Sequence, residues 1–193
     1  IIPDIPPAAE AYYAPDGQHL IAQVRDPDAQ QSGDARIGSA LTYIFTEDGK
    51  TIRRINDHGQ DACSFFFPDG KRVIWTSTRD NMDMPIGNWS DDSEYPQGAE
   101  LYTSDLKGGD IKRLTNNKVY EAEVSVSPDG QWLVFGRQTD GKMDLWRMRP
   151  DGFRRRLGFA LCGAATLTLL AAAPALAQGL TSSSLMGAVP LAI

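Results

Sequence analysis

The sequence predicts an all-β fold: a partial β-propeller of three four-stranded antiparallel blades, with an apolar C-terminal tail for which a helix is one candidate form. Three observations carry that expectation. A β-prone run, a Pro-Asp-Gly turn and a second alternating run recur without gaps, as AAEAYYAPDGQHLIAQV (8–24), DACSFFFPDGKRVIWTS (61–77) and EAEVSVSPDGQWLVFGR (121–137). Each is followed by a related second hairpin, LTYIFTEDGKTIRRI (41–55), LYTSDLKGGDIKRLT (101–115) and LWRMRPDGFRRRL (145–157). The third repeat is the shortest, and the first two differ from it by polar, turn-rich insertions, DPDAQQSGDAR and DNMDMPIGNWSDDSEYPQ. Four antiparallel strands repeated in series are the pattern of a propeller blade. An ordinary β-sandwich also has short, regularly spaced strands, but it does not require a threefold gapless alignment.

Each element follows from its residues. Proline presets φ for the turn, aspartate bonds back to nearby backbone, and glycine accepts the positive φ that closes a hairpin. Gly17, Gly70 and Gly130 are therefore expected as turn glycines, not as parts of a phosphate loop. The second hairpins each open with an aromatic-containing strand, pass through a glycine turn and end on basic residues followed by an aliphatic one. The blades are expected at about 8–56, 61–115 and 121–157, within a propeller region 1–157, and a hydrophobic segment follows over 158–193. Phe65, Phe67, Trp75, Trp132, Phe135 and Trp146 are expected as blade packing.

Charge is unevenly spread. The net charge is −6, and every charged residue except Arg154, Arg155 and Arg156 lies within 1–151. That acidic body argues against nucleic acid, whose phosphates call for clustered Lys and Arg. Two cysteines, Cys63 and Cys162, make no disulfide framework and are expected as free thiols.

The repeats SPDGQWLVFGRQTDGKMDLWRMRPDG and FPDGKRVIWTSTRD with its continuation AELYTSDLKGGDIKRLT resemble TolB-like β-propeller repeats over roughly residues 8–157. The resemblance implies a six-bladed ring, of which three blades are about half. It also implies an extracytoplasmic, periplasmic setting at a bacterial membrane and a protein-binding, scaffolding role without catalysis. Protein partners in a membrane or envelope complex follow from that role. The same repeats build the propellers of prolyl-oligopeptidase-like hydrolases, whose chemistry resides in a separate α/β-hydrolase domain; a propeller fragment of such an enzyme is the alternative.

The tail has three competing readings. Leu157–Ala177 carries no charge and ends APALAQ. It has the basic start, apolar core and Ala-x-Ala exit of a signal peptide, and it is also long enough to span about 30 Å of hydrocarbon. The candidates are a join of two normally separate pieces, a membrane anchor or membrane-lying segment through 157–177, and a core-packed tail.

Candidate chemistry is sparse. A serine hydrolase needs a Gly-x-Ser-x-Gly elbow with a base, and the sequence has no such elbow; His19 and His58 are isolated, and His58 in NDHGQDA reads as a blade-linking turn. In the second insertion Asp80, Asp83, Asp91, Asp92 and Glu94 supply hard oxygen ligands of the kind Ca²⁺ takes, though not in EF-hand order; Ca²⁺ is the one cofactor considered, and a cation-dependent binding module is the third functional reading. A solvated acidic loop competes with it. Trp89 and Tyr95 in the same loop fit either an interaction surface or a loop folded back on its blade. Asp61 and Glu121 occupy matching positions ahead of their blades' first strands. By resemblance these positions lie near the mouth of the propeller channel, where a cation or peptide would bind; strand initiation is the competing role.

Overall fold

The repeated Pro-Asp-Gly turns close three hairpins in the same way. Gly17, Gly70 and Gly130 have φ of 67°, 63° and 69°, and their N–H groups donate to the carbonyls of Ala14, Phe67 and Ser127 at 3.0, 3.0 and 2.8 Å. The turn aspartates accept backbone N–H groups two residues on, from Gln18, Lys71 and Gln131 at 2.8, 2.9 and 3.0 Å. Each Pro-Asp-Gly sequence thus satisfies its turn's backbone with its own side chain, which is why the hairpin is legible locally.

The computed structural model describes residues 6–25, 40–152 and 154–160, all within the compact unit Ile1–Gly163. Every regular element among the described residues is a β-strand. The first sheet holds β1 (Ala8–Tyr13), β2 (His19–Arg25), β3 (Ala40–Thr46) and β4 (Ile52–Arg54). The second holds β5 (Asp61–Phe66), β6 (Arg72–Ser77), β7 (Glu100–Asp105) and β8 (Lys112–Arg113). The third holds β9 (Tyr120–Val126), β10 (Leu133–Thr139), β11 (Lys142–Met148) and β12 (Arg154–Ala160). In each sheet the strands pair in chain order as an antiparallel meander. This is the all-β, three-blade architecture that the repeats predict. The insertion at 26–36 lies outside the described residues. So does the uncharged segment beyond 160, and with it Cys162; the backbone of 158–160 continues β12. Among the described residues no helix is long and apolar enough to cross a membrane.

Alternation along the second blade splits its side chains between two neighbours, as a strand period of two requires. Phe66, Val73, Trp75 and Tyr102 face the first blade and pack with Ile21, Ile44 and Ile55. Phe67, Ile74 and Leu101 face the third blade and pack with Tyr120, Ala122, Val124, Leu133, Phe135 and Met148. Trp75 and Tyr102 stack with ring centroids 6.0 Å apart. The second blade is thus buried on both faces. Trp132 departs from the expected packing role: it is half-buried and lies beneath the Arg147 and Arg149 guanidinium groups, at 4.3 and 5.5 Å from its ring.

Candidate functional site

Each blade's first strand carries one extra residue at the same place. The register slips between Ala9 and Tyr12 in β1, between Ala62 and Phe65 in β5, and opposite Val134 and Gly136 in β9. The residue that opens each bulge sits at positive φ without being glycine: Glu10 at 54°, Cys63 at 50° and Glu123 at 55°. A bulge re-aims the side chain it carries, and non-glycine residues adopt this conformation uncommonly. The three first strands pack side by side through β5, and the three re-aimed side chains meet. Among the described residues they form a group of potential ligand atoms, a thiol sulfur and two carboxylate oxygens, all within 4.8 Å of one another.

The cluster is tightly connected. The Cys63 N–H donates to Glu10 Oε2 at 2.7 Å, and the thiol lies 4.0 Å from Glu10 Oε1. Cys63 is buried and free, while Glu10 and Glu123 remain open to solvent on one side. Burial, reinforced by the Glu10 and Glu123 carboxylates, pushes the Cys63 thiol well above its ordinary range. Partial burial and the Glu10 carboxylate push Glu123 up as well. A thiol held protonated near neutral pH is a poor nucleophile, so by itself the arrangement favours binding over covalent chemistry.

The putative TolB of Agrobacterium tumefaciens superposes with a TM-score of 0.62 at 21% identity, covering 82% of this chain and 49% of that one. TolB of Acinetobacter baumannii superposes at 0.54 and 20% identity, covering 76% and 31%. The fold is that of a TolB-like β-propeller. Among curated proteins, the chain is 26% identical over 121 residues to the uncharacterized protein Atu1656 of Agrobacterium fabrum, covering 63% of this chain and 36% of the relative. It is 28% identical over 149 residues to the uncharacterized peptidase YuxL of Bacillus subtilis, covering 64% and 20%. The chain therefore spans well under half the length of these relatives and half or less of the two TolB chains. It matches no family model.

Within the TolB-like propeller, Asp61 and Glu121 lie at the starts of their blades' first strands, both buried. Asp61 accepts the N–H of Thr42 at 2.8 Å and the amide of Asn56 at 2.7 Å. Burial raises its carboxyl to about 6 against these stabilising bonds. Glu121 pairs with Arg137 and accepts from the Asn117 amide at 2.7 Å. Glu100, which the sequence did not single out, is fully buried and gathers Arg113 at 3.2 Å and the N–H groups of Asn117 and Lys118 at 2.7 Å each.

The second insertion folds onto the propeller. Tyr95 stacks on Tyr120 at 4.1 Å, Trp89 meets the same ring edge-on at 5.8 Å, and the Trp89 indole donates to Gln60 at 3.1 Å. The five acidic residues go to separate places. Asp80 accepts from the Tyr102 hydroxyl at 3.0 Å and lies 3.7 Å from Arg113. The Asp91 carboxylate caps its own loop through Ser93, and the Asp92 carbonyl accepts from Gln138. Glu94 contributes its backbone to the same loop, and Asp83 is exposed. Among the described residues, no three of these five carboxylates converge within 4.8 Å. His19, the first residue of β2, and His58, in the segment linking the first two blades, are half-buried and sit beside Asp16 and Asp57 at 2.7 and 2.6 Å.

The signal for the bulge cluster was present in the alignment. Glu10, Cys63 and Glu123 each stand seven positions before their turn glycine. A strand read with strict alternation places that position on a blade face. Only the bulge turns it toward its counterparts.

Proposed function

We propose that this chain is a non-enzymatic protein-binding, scaffolding subunit of the cell envelope. It acts at the extracytoplasmic face of a bacterial membrane, as an extrinsic accessory part of a membrane complex. The observation that carries this reading is the contrast between matching strands. β1 is exposed along its whole length, with Tyr12 and Tyr13 at 45% and 56%, whereas β5 and β9 are mostly buried. Exposed tyrosines on a rigid strand offer large contact area at low entropic cost, as binding hot spots do. The likeness to TolB structures supports the same reading at the level of fold.

The test is a site-specific photocrosslinker at Tyr13 of the full chain, expressed in its native envelope. A single discrete crosslinked envelope protein is expected, and it should be absent when the crosslinker sits at Asp140, in the exposed β10–β11 turn. A monodisperse, partner-free, soluble monomer in native extracts would sink the proposal.

The alternative is a propeller portion of a prolyl-oligopeptidase-like hydrolase, favoured by the similarity to the uncharacterized peptidase YuxL. An α/β-hydrolase domain continuous with this chain in its native source, together with peptidase activity, would establish that reading instead.

A further inference from the structure

We propose that Glu10, Cys63 and Glu123 form a site for one divalent transition-metal ion of the Zn²⁺ class, held across three blades by one sulfur and two carboxylate oxygens. The ligand atoms lie within 4.8 Å of one another. Ligands around a tetrahedral zinc stand roughly 3.4–3.6 Å apart, given bonds of about 2.3 Å to sulfur and 2.0–2.2 Å to oxygen. Side-chain rotations that close the cluster by little more than about 1 Å complete that geometry.

Several independent features point to a cation. Two carboxylates and a thiol converge, yet among the described residues no basic side chain pairs with Glu10 or Glu123. Converging carboxylates need a proton or a positive ion between them; here the Cys63 thiol donates its proton to Glu10 Oε1 at 4.0 Å, and a bound cation would take that proton's place. The thiol is 7% exposed and is aimed into the cluster, where its neighbours are those two carboxylates. Buried Gln23, in the amide orientation that satisfies both of its polar groups, donates to Glu10 Oε2 at 2.9 Å and accepts from Ser64. Together with the Cys63 N–H, this fixes the Glu10 carboxylate from behind, as outer-shell bonds do in metal sites.

The donor set selects the ion. Ca²⁺ and Mg²⁺ take oxygen ligands in larger or octahedral sets, whereas thiolate with carboxylate suits zinc and its borderline-soft neighbours. Three protein ligands leave a fourth position for water or a partner's side chain. Because each ligand comes from a bulge in a separate blade, one ion ties β1, β5 and β9 together. Binding releases the thiol proton to solvent as the sulfur joins the metal.

The test uses the full purified chain under a non-chelating reductant, titrated with Co²⁺ and then Zn²⁺. Expected are a thiolate-to-cobalt charge-transfer band with the strong visible bands of tetrahedral cobalt, a stoichiometry of one, displacement by Zn²⁺, and a melting temperature that rises with free Zn²⁺. Cys63→Ser should abolish the charge-transfer band and weaken Zn²⁺ binding by about 100-fold or more, and Glu123→Gln should weaken it by at least about tenfold. Asp91→Asn should leave it unchanged. Glu123 is exposed, so its variant reads the site even if Cys63→Ser misfolds. No charge-transfer band in the wild-type chain, or wild-type Zn²⁺ affinity in Glu123→Gln, would overturn the proposal.

Discussion

The carboxylate of Asp61, at the start of the second blade's first strand, accepts the backbone N–H of Thr42 in the first blade at 2.8 Å. The other oxygen holds the Asn56 amide at 2.7 Å in the segment that links the two blades. A fully shielded side chain therefore fastens one blade to the next, and its loss leaves buried donors without acceptors. Asp61→Ala should destabilise the chain by about 2–3 kcal/mol, measured by urea unfolding. No change in the unfolding midpoint would show that the contact carries no weight.

The same carboxylate gives stability a pH dependence of unusual sign. Its folded pKa is about 6, above the usual aspartate value of 3.8. Between roughly pH 4 and 6 the native state therefore holds the proton that the unfolded chain has released. The contribution is fully present below pH 4 and is lost as pH rises through 6, by on the order of 3 kcal/mol. The turn aspartate Asp16 runs the other way: backbone bonds from Gln18 and His19 lower it to about 2, so its contribution is lost on acidification toward that pH. Comparing Asp61→Asn with the parent isolates the first effect, because the variant should lack the fall between pH 4 and 6.

Glu121 and Arg137 form a buried pair within the third blade, with Arg137 also lying over the Trp146 ring at 4.2 Å. Removing one member leaves an uncompensated charge. Glu121→Gln should cost about 3–5 kcal/mol, and adding Arg137→Met, which preserves much of the stacking volume, should recover part of that loss. Additive single effects in the double-mutant cycle would contradict the pairing.

Two turn glycines separate conformational strain from packing. Gly17 has φ of 67° with nothing within 4 Å of a built Cβ. Gly108 has φ of 75°, and its Cβ would lie 2.5 Å from the Ile55 carbonyl of the first blade. Gly17→Ala should cost about 1 kcal/mol from backbone conformation alone. Gly108→Ala should cost clearly more, since a neighbouring backbone must also shift. Equal thermal shifts in the two variants would rule out the interblade contact.

The Tyr95–Tyr120 stack should control the second insertion. Tyr95→Ala removes a ring contact at 4.1 Å, costing about 0.5–1.5 kcal/mol beyond its buried area. Limited proteolysis should then cut within 82–96 faster than in the parent. Unchanged cleavage would mean that Trp89, through Tyr120 and Gln60, holds the loop by itself.

The Pro-Asp-Gly turns, the twelve described strands and the blade order were legible because each hairpin satisfies its own backbone with residues close in sequence. The alternating aromatics revealed most of the core for the same reason, Trp132 excepted. For the acidic insertion the sequence left a ligand set and a solvated loop both open; in space Asp80 accepts from Tyr102, Asp91 caps its own loop through Ser93, and the Asp92 carbonyl accepts from Gln138. For Trp89 and Tyr95 the sequence left two roles open, and the ring they meet, Tyr120, stands twenty-five or more residues further on at the start of β9.

The sequence by itself determined three repeated four-stranded units and their TolB-like character, since turn chemistry and side-chain alternation are local properties. Only the tertiary structure decided what Glu10, Cys63 and Glu123 are. Their shared position follows from the alignment, but their meeting depends on three bulges that reverse the local alternation and on the lateral packing of three strands. Neither follows from residues adjacent in the chain.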